Sequence, residues 1–183
     1  GVAGNVFVFK VAGAACDRML PLDACAAVAR RASQRCFTMG VALEPGASLE
    51  TRRPSFRLGP DDMEIGVGVH GEPGIARAKL ATADETADLI VDRILDEMRP
   101  SEGDRVAILV NSLGGTPQME LYILNRRLRQ RLQARGITVH RTLIGHYYTS
   151  LDMAGVSISM LHLDDELREL LDHPCKSPAL TIG

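Results

Sequence analysis

Val106-Ala-Ile-Leu-Val110 runs straight into Asn111-Ser-Leu-Gly-Gly-Thr-Pro117, and the reading of this stretch decides the fold class. An unbroken apolar run of strand length is what a strand covered on both faces looks like, as in the middle of a parallel sheet. Thr116 suits an N-cap and Pro117 the first helical position, where a missing N–H costs nothing. Leu121, Leu124, Leu128 and Leu132 then recur on one stripe of a long helix. Gly136 is a helix stop, and residues 137–144 return as a strand. This strand–helix–strand unit predicts a right-handed crossover.

Working outward, Thr82-Ala-Asp-Glu85 fits a capping box and opens a helix that buries Ala87, Ile90, Val91, Ile94 and Met98. Residues 100–104 break it. Upstream, residues 55–58 and 63–69 read as strands paired across Gly59-Pro60-Asp61-Asp62. Residues 5–11 are nearly continuous apolar and β-branched and predict a buried strand, while 12–19 are small and ambiguous. Pro21 opens a helix with Cys25, Ala29, Ala32 and Cys36 at helical spacing. Residues 41–43 form a short strand and 44–54 a surface loop. Downstream come a loop over 145–155, a strand over 156–163, a short amphipathic helix over 164–171 with an acidic first turn, and a tail over 175–183. The expected fold is a single α/β domain over residues 1–183, with a mixed, largely parallel sheet and helices packed on it.

The 183 residues suffice for one domain with a real core. A net charge of −2 gives no electrostatic case for nucleic acid or an anionic membrane, and the absence of Trp argues against base-stacking platforms. There is no apolar run of about 18 residues, so no membrane span is expected. Cys16, Cys25, Cys36 and Cys175 form no C-x-x-C pair, which disfavours structural zinc and points to the cytoplasm. The chain begins at Gly1, not Met, and reads as a piece of a longer protein.

Three loops are candidates for chemistry. Val67-Gly68-Val69-His70-Gly71-Glu72-Pro73-Gly74 places His70 between glycines ahead of a Pro-Gly turn. A neutral imidazole nitrogen is a nucleophile toward carbonyl carbon near neutral pH; the plainer reading is an ordinary turn histidine. Residues 111–116 lie at the carboxyl end of a central strand and at a helix start, where α/β sheets bind ligands, or else simply make a compact turn. The loop has neither the pattern nor the lysine of a phosphate loop, so no nucleotide cofactor is expected on this chain. Asp152 could orient a hydroxyl or act as a base, but an aspartate beside Ser and Thr more often bonds its own backbone. His140, His146, His162 and His173 show no metal-ligand spacing, and His146 is assigned no role. Asp61, Asp62 and Glu64 read as a solvated turn.

Met63-Glu-Ile-Gly-Val-Gly-Val-His70-Gly-Glu-Pro-Gly-Ile75 closely resembles the histidine motif of the K-type subunits of dihydroxyacetone kinases. So do Val110-Asn-Ser-Leu-Gly-Gly-Thr-Pro-Gln-Met-Glu-Leu-Tyr122 and Tyr148-Thr-Ser-Leu-Asp-Met-Ala-Gly155, followed by Leu161-His-Leu-Asp-Asp-Glu166. These motifs follow family order over nearly the whole chain and match the second half of the subunit. The resemblance implies that His70 bonds dihydroxyacetone, or a related short ketose, covalently as a hemiaminal. The family's first half carries a further histidine loop, a lysine and an aspartate that have no counterpart on this chain. The resemblance also implies an L-type nucleotide-binding partner holding ATP or ADP with Mg, and a homodimer is expected. Two other readings stand beside it: a regulatory paralogue that senses a short ketose without phosphorylating it, and, less favoured by the charged turn before His70, a lipid-binding protein of similar architecture.

Overall fold

The computed structural model describes residues 2–47, 53–70 and 72–183. The expected loop at 44–54 and the glycine after His70 thus lie partly outside the described residues. The core is a six-stranded sheet in the order β3-β2-β1-β6-β4-β5, built from β1 (Cys36–Ala42), β2 (Asp62–Ile65), β3 (Ala76–Lys79), β4 (Arg105–Ser112), β5 (Thr138–Gly145) and β6 (Gly155–Leu163). Helices cover both faces. β4 shows how: Val106, Ile108 and Val110 point into one apolar core, with α3 (Ala83–Met98) and α4 (Gln118–Ala134), whereas Ala107 and Leu109 point into the other, with α1 (Asn5–Asp17), α2 (Leu22–Gln34) and α5 (Asp165–Asp172). Strict alternation on a doubly buried strand is the physical reason for the continuous apolar run.

The expectation of a largely parallel sheet is corrected. Among the strands of the described residues, only β4 and β5 pair in parallel; β1–β2, β2–β3, β1–β6 and β4–β6 are antiparallel. The crossover through α4 makes β4 and β5 parallel, but residues 146–154 reverse the chain at the same end of the sheet, so β6 returns against both directions. It inserts between β1 and β4, where Ile158, Met160 and Leu161 are fully buried.

Residues 5–11 are helix, not strand. Phe7, Lys10, Val11, Ala14 and Ala15 are buried at a helical repeat against the sheet. The small residues after position 11 let the helix continue, and covering the open sheet face outweighs the β-propensity of the valines. Residues 55–58 do not form the partner strand of β2. That partner is β3, in the register Met63↔Ala78 and Glu64↔Arg77. β1 is longer than expected and takes Cys36 out of the preceding helix. The tail forms a minute hairpin of β7 (Cys175–Lys176) and β8 (Thr181–Ile182).

Other features follow the sequence closely. Thr82 and Glu85 make a reciprocal capping box on α3. Gly136, with φ +66, follows the end of α4. Asp164 caps α5 by accepting from Leu167 N at 2.8 Å. The outer faces of α3 and α4 are joined by a ladder of ion pairs: Asp84 with Arg126, Asp88 with Arg127 and Arg131, and Asp92 with Arg131 and Arg135.

Candidate functional site

The His70 loop is the connection of the β2–β3 hairpin. Gly66, with φ +83, turns the chain out of β2, and its N–H donates to Gly40 O at 2.7 Å. The loop then passes over Gly40, where a Cβ would lie 2.6 Å from Val67 O. Glycine is required there because backbone lies on backbone. Val67 and Val69 are buried against Ala42, Leu113 and Met153. Period-two alternation therefore turns Gly68 and His70 outward, and the His70 side chain is 65% exposed.

Glu64 closes the loop. Its side chain is only 5% exposed, accepts from Arg77 Nε at 2.6 Å, and accepts from Gly74 N at 3.1 Å. The reading of this residue as part of a solvated turn is corrected: a buried carboxylate needs such donors, and these tie the loop's return to the strand before it. Beyond the turn, Glu72 reaches back. One carboxylate oxygen accepts the His70 backbone N–H at 2.9 Å and the other lies 3.1 Å from Nδ1 of the same residue.

The three loops singled out in the sequence meet. Asn111, fully buried at the end of β4, donates to Tyr148 O at 2.7 Å and to Ser157 Oγ, and accepts from the backbone N–H groups of Tyr147 and Tyr148 at 2.9 and 2.8 Å. The Tyr148 ring thus held stands edge-on to the His70 imidazole, with centroids 6.4 Å apart. Leu113 O accepts from Ser150 N, and Gly115 N donates to Met153 O. Gly114, with φ +134, has Leu151 O where a Cβ would be, at 1.9 Å.

Thr116 is not the N-cap of α4; Pro117 occupies that position. The Thr116 hydroxyl is buried and both accepts from Gly155 N and donates to Gly155 O, each at 2.8 Å. It joins the first residue of β6 to the β4–α4 loop. Asp152 is exposed and accepts from Ala47 N at 2.8 Å, so it pins a distant loop and not its own turn.

The remaining histidines are dispersed: His140 pairs with Asp172, His162 with Asp104 and His173 with Asp17, while His146 is exposed. Among the described residues no group of His, Cys, Asp or Glu is placed to hold a metal ion. All four cysteines are free, and no described helix is long and apolar enough to cross a membrane. A groove of about 780 Å³ runs between α1 and the β7–β8 hairpin, with Phe9, Lys10, Tyr147, Tyr148 and Leu180 in its walls. Tyr148 lines it but His70 does not, so the imidazole stands on an open surface beside it.

Tyr148, Glu64 and Gly40 are site-building residues that sequence reasoning missed. Asn111 carried a readable signal, since an amide ending an all-apolar buried strand must find partners.

The family model of the Dak1 domain matches residues 1–179. The chain belongs to the Dak1 domain family. The dihydroxyacetone-binding subunit DhaK of a PTS-dependent dihydroxyacetone kinase from Listeria innocua is 43% identical to this Dak1 domain over 182 residues, covering 100% of the chain and 55% of that subunit. An L-erythrulose 1-kinase of Mycolicibacterium smegmatis is 41% identical over 192 residues, covering 100% of the chain and 33% of that protein. Among solved structures, the dihydroxyacetone kinase operon co-activator DhaQ superposes with a TM-score of 0.88 at 30% identity, covering 95% of this chain and 54% of that one. The Dak1 domain described here spans about half the length of the DhaK subunit it matches.

Proposed function

We propose that this Dak1 domain is the second half of a DhaK-type subunit and holds dihydroxyacetone, or a related short ketose, as a hemiaminal on His70. The observation that carries the reading is the imidazole itself. It stands outward on a hairpin whose neighbours are buried or glycine, braced by Tyr148 and Glu72, in a family whose members include a dihydroxyacetone-binding subunit. Covalent capture fixes the carbonyl carbon and so holds the terminal hydroxyl still for phosphoryl transfer, a reaction in which positioning supplies most of the protein's contribution. It also selects ketones over glycerol, which cannot form a hemiaminal.

The open face beside His70 is where the rest of the subunit would close the site. ATP or ADP with Mg belongs, in this reading, to an L-type partner, in keeping with the lack of a phosphate-loop pattern here. A cytoplasmic homodimer completes the reading, and the four free thiols suit a reducing compartment.

The test is intact mass of the complete subunit with the ketone, together with a crystal soaked in it. Borohydride does not trap a hemiaminal, so reduction is no substitute. The adduct is expected on His70 and absent in His70→Ala, and a 100-fold loss of kinase activity in that variant would correspond to about 2.7 kcal/mol of barrier. Undiminished activity in His70→Ala sinks the essential role. The chain alone is expected to show no substrate-dependent ADP release from ATP.

The likeness to the DhaQ co-activator favours a second reading, a sensor that binds the ketose and signals its occupancy to another protein. Ketone binding by the complete subunit without phosphoryl transfer, in the presence of every donor component, would decide for it.

A further inference from the structure

We infer that Glu72 is the positioning residue that sets the tautomer of His70 and leaves Nε2 as the attacking nitrogen; the inference rests on the proposed capture of a ketone by His70. Both oxygens of one carboxylate face the same histidine: Oε2 accepts its backbone N–H at 2.9 Å and Oε1 lies 3.1 Å from Nδ1. An ionised carboxylate only accepts, so the ring nitrogen that faces it must carry the proton. In a neutral imidazole the other nitrogen then keeps its lone pair. The backbone bond fixes where the carboxylate sits relative to the ring, so ring orientation and tautomer are set together.

Gly68 makes the arrangement possible. A Cβ there would lie 2.1 Å from Glu72 Oε2 and 2.6 Å from its carboxyl carbon. The glycine two residues before the histidine is thus the space the carboxylate occupies.

The chemistry balances. The Nε2 lone pair forms the C–N bond to the carbonyl carbon, and the C=O π pair moves onto oxygen, which takes a proton from water. The ring becomes cationic and gives its Nδ1 proton to the Glu72 carboxylate, from which it passes to the hydroxide left by that water. The sum is the addition of imidazole N–H across C=O, with no leaving group and no redox partner. Glu72 thereby stabilises the charge that develops on the ring during attack, the role a carboxylate plays behind an imidazole elsewhere.

The experiment is ¹⁵N imidazole NMR of the complete subunit without ketone, beside the rate of dihydroxyacetone adduct formation followed by intact mass. Wild type is expected to show the Nδ1–H tautomer. Glu72→Gln, whose amide offers a donor as readily as an acceptor, should show a mixture and form the adduct on the order of 10- to 100-fold more slowly, the range seen when a partner orienting a metal-bound imidazole is lost. Gly68→Ala keeps the carboxylate but evicts it from its place and should reproduce both effects. An unchanged tautomer and an unchanged adduct rate in Glu72→Gln overturn the inference while leaving covalent capture intact. If wild type forms no adduct, the proposed capture fails, and the spectra of the unliganded proteins still decide the role of Glu72.

Discussion

The ring of Tyr148 meets the imidazole of His70 at 66°, edge to face, across 6.4 Å. The two residues lie far apart in sequence, on the β2–β3 hairpin and on the loop between β5 and β6. What brings them together is Asn111, which holds the Tyr147–Tyr148 backbone by both ends of its amide. The histidine is therefore supported from β4, which lies beyond β1 and β6 from its own hairpin.

If this contact limits how far the imidazole swings, Tyr148→Ala should weaken ketone binding about tenfold, since an edge-to-face aromatic contact is worth about 0.5–1.5 kcal/mol. Tyr148→Phe keeps the ring and should bind like wild type. Calorimetric titration of the complete subunit with dihydroxyacetone checks both variants. A loss in Tyr148→Phe equal to that in Tyr148→Ala would show that the hydroxyl, and not the ring, matters.

Asn111→Ala should be destabilising by roughly 3 kcal/mol, taking about 1–3 kcal/mol for each buried group left unpaired. The Tyr147 and Tyr148 N–H groups both lose their acceptor. Denaturant melts give the stability, and the ketone titration should show the Tyr148→Ala phenotype as well. A variant that melts like wild type would mean that the tyrosine backbone is held by something else.

Gly40→Ala tests the crossing of the hairpin loop over β1. The added methyl would lie 2.6 Å from Val67 O, so the loop must lift. A cost of about 1–3 kcal/mol is expected, the usual range for overpacking a filled site. Because Val67 and Val69 anchor the His70 loop, ketone affinity should fall with it. Normal binding combined with normal stability would show that the loop reaches its position by another route.

Acid should loosen the α3–α4 ladder. The hydrogen bond from Arg127, followed by that from Arg131, holds the Asp88 carboxyl down to about 2. The ordinary aspartate value is about 3.9, so the folded protein binds this proton more weakly than the unfolded chain does. The stabilisation is complete above about pH 4 and is lost as the pH falls through about 2. Thermal melts of Asp88→Asn and wild type should differ most above pH 4 and converge toward pH 2. A gap that stays constant over that range would assign the effect to packing.

Where a local pattern has only one physical solution, the sequence was sufficient. The Thr82–Glu85 box could only start a helix, the leucine stripe of α4 could only face a core, and Val106–Val110 could only be a strand buried on both sides. The frame around His70 was legible only in part: the strand expected over 63–69 ends at Ile65, where Gly66, with φ +83, turns the chain out of the sheet. Tertiary structure decided whatever depends on a partner distant in the chain. Residues 5–11 could be strand or helix by propensity, and the uncovered sheet face selected helix. The direction of β6 followed from which end of the sheet the preceding loop reverses at, which no local period encodes. Thr116 was read as the N-cap of α4, but its hydroxyl is paired with Gly155 at the start of β6. Glu64 looked like one more acid in a charged turn until Arg77 and Gly74 were brought to it by the β2–β3 pairing. Hydrogen-bonding capacity is a property of the residue; the atom that satisfies it is a property of the fold.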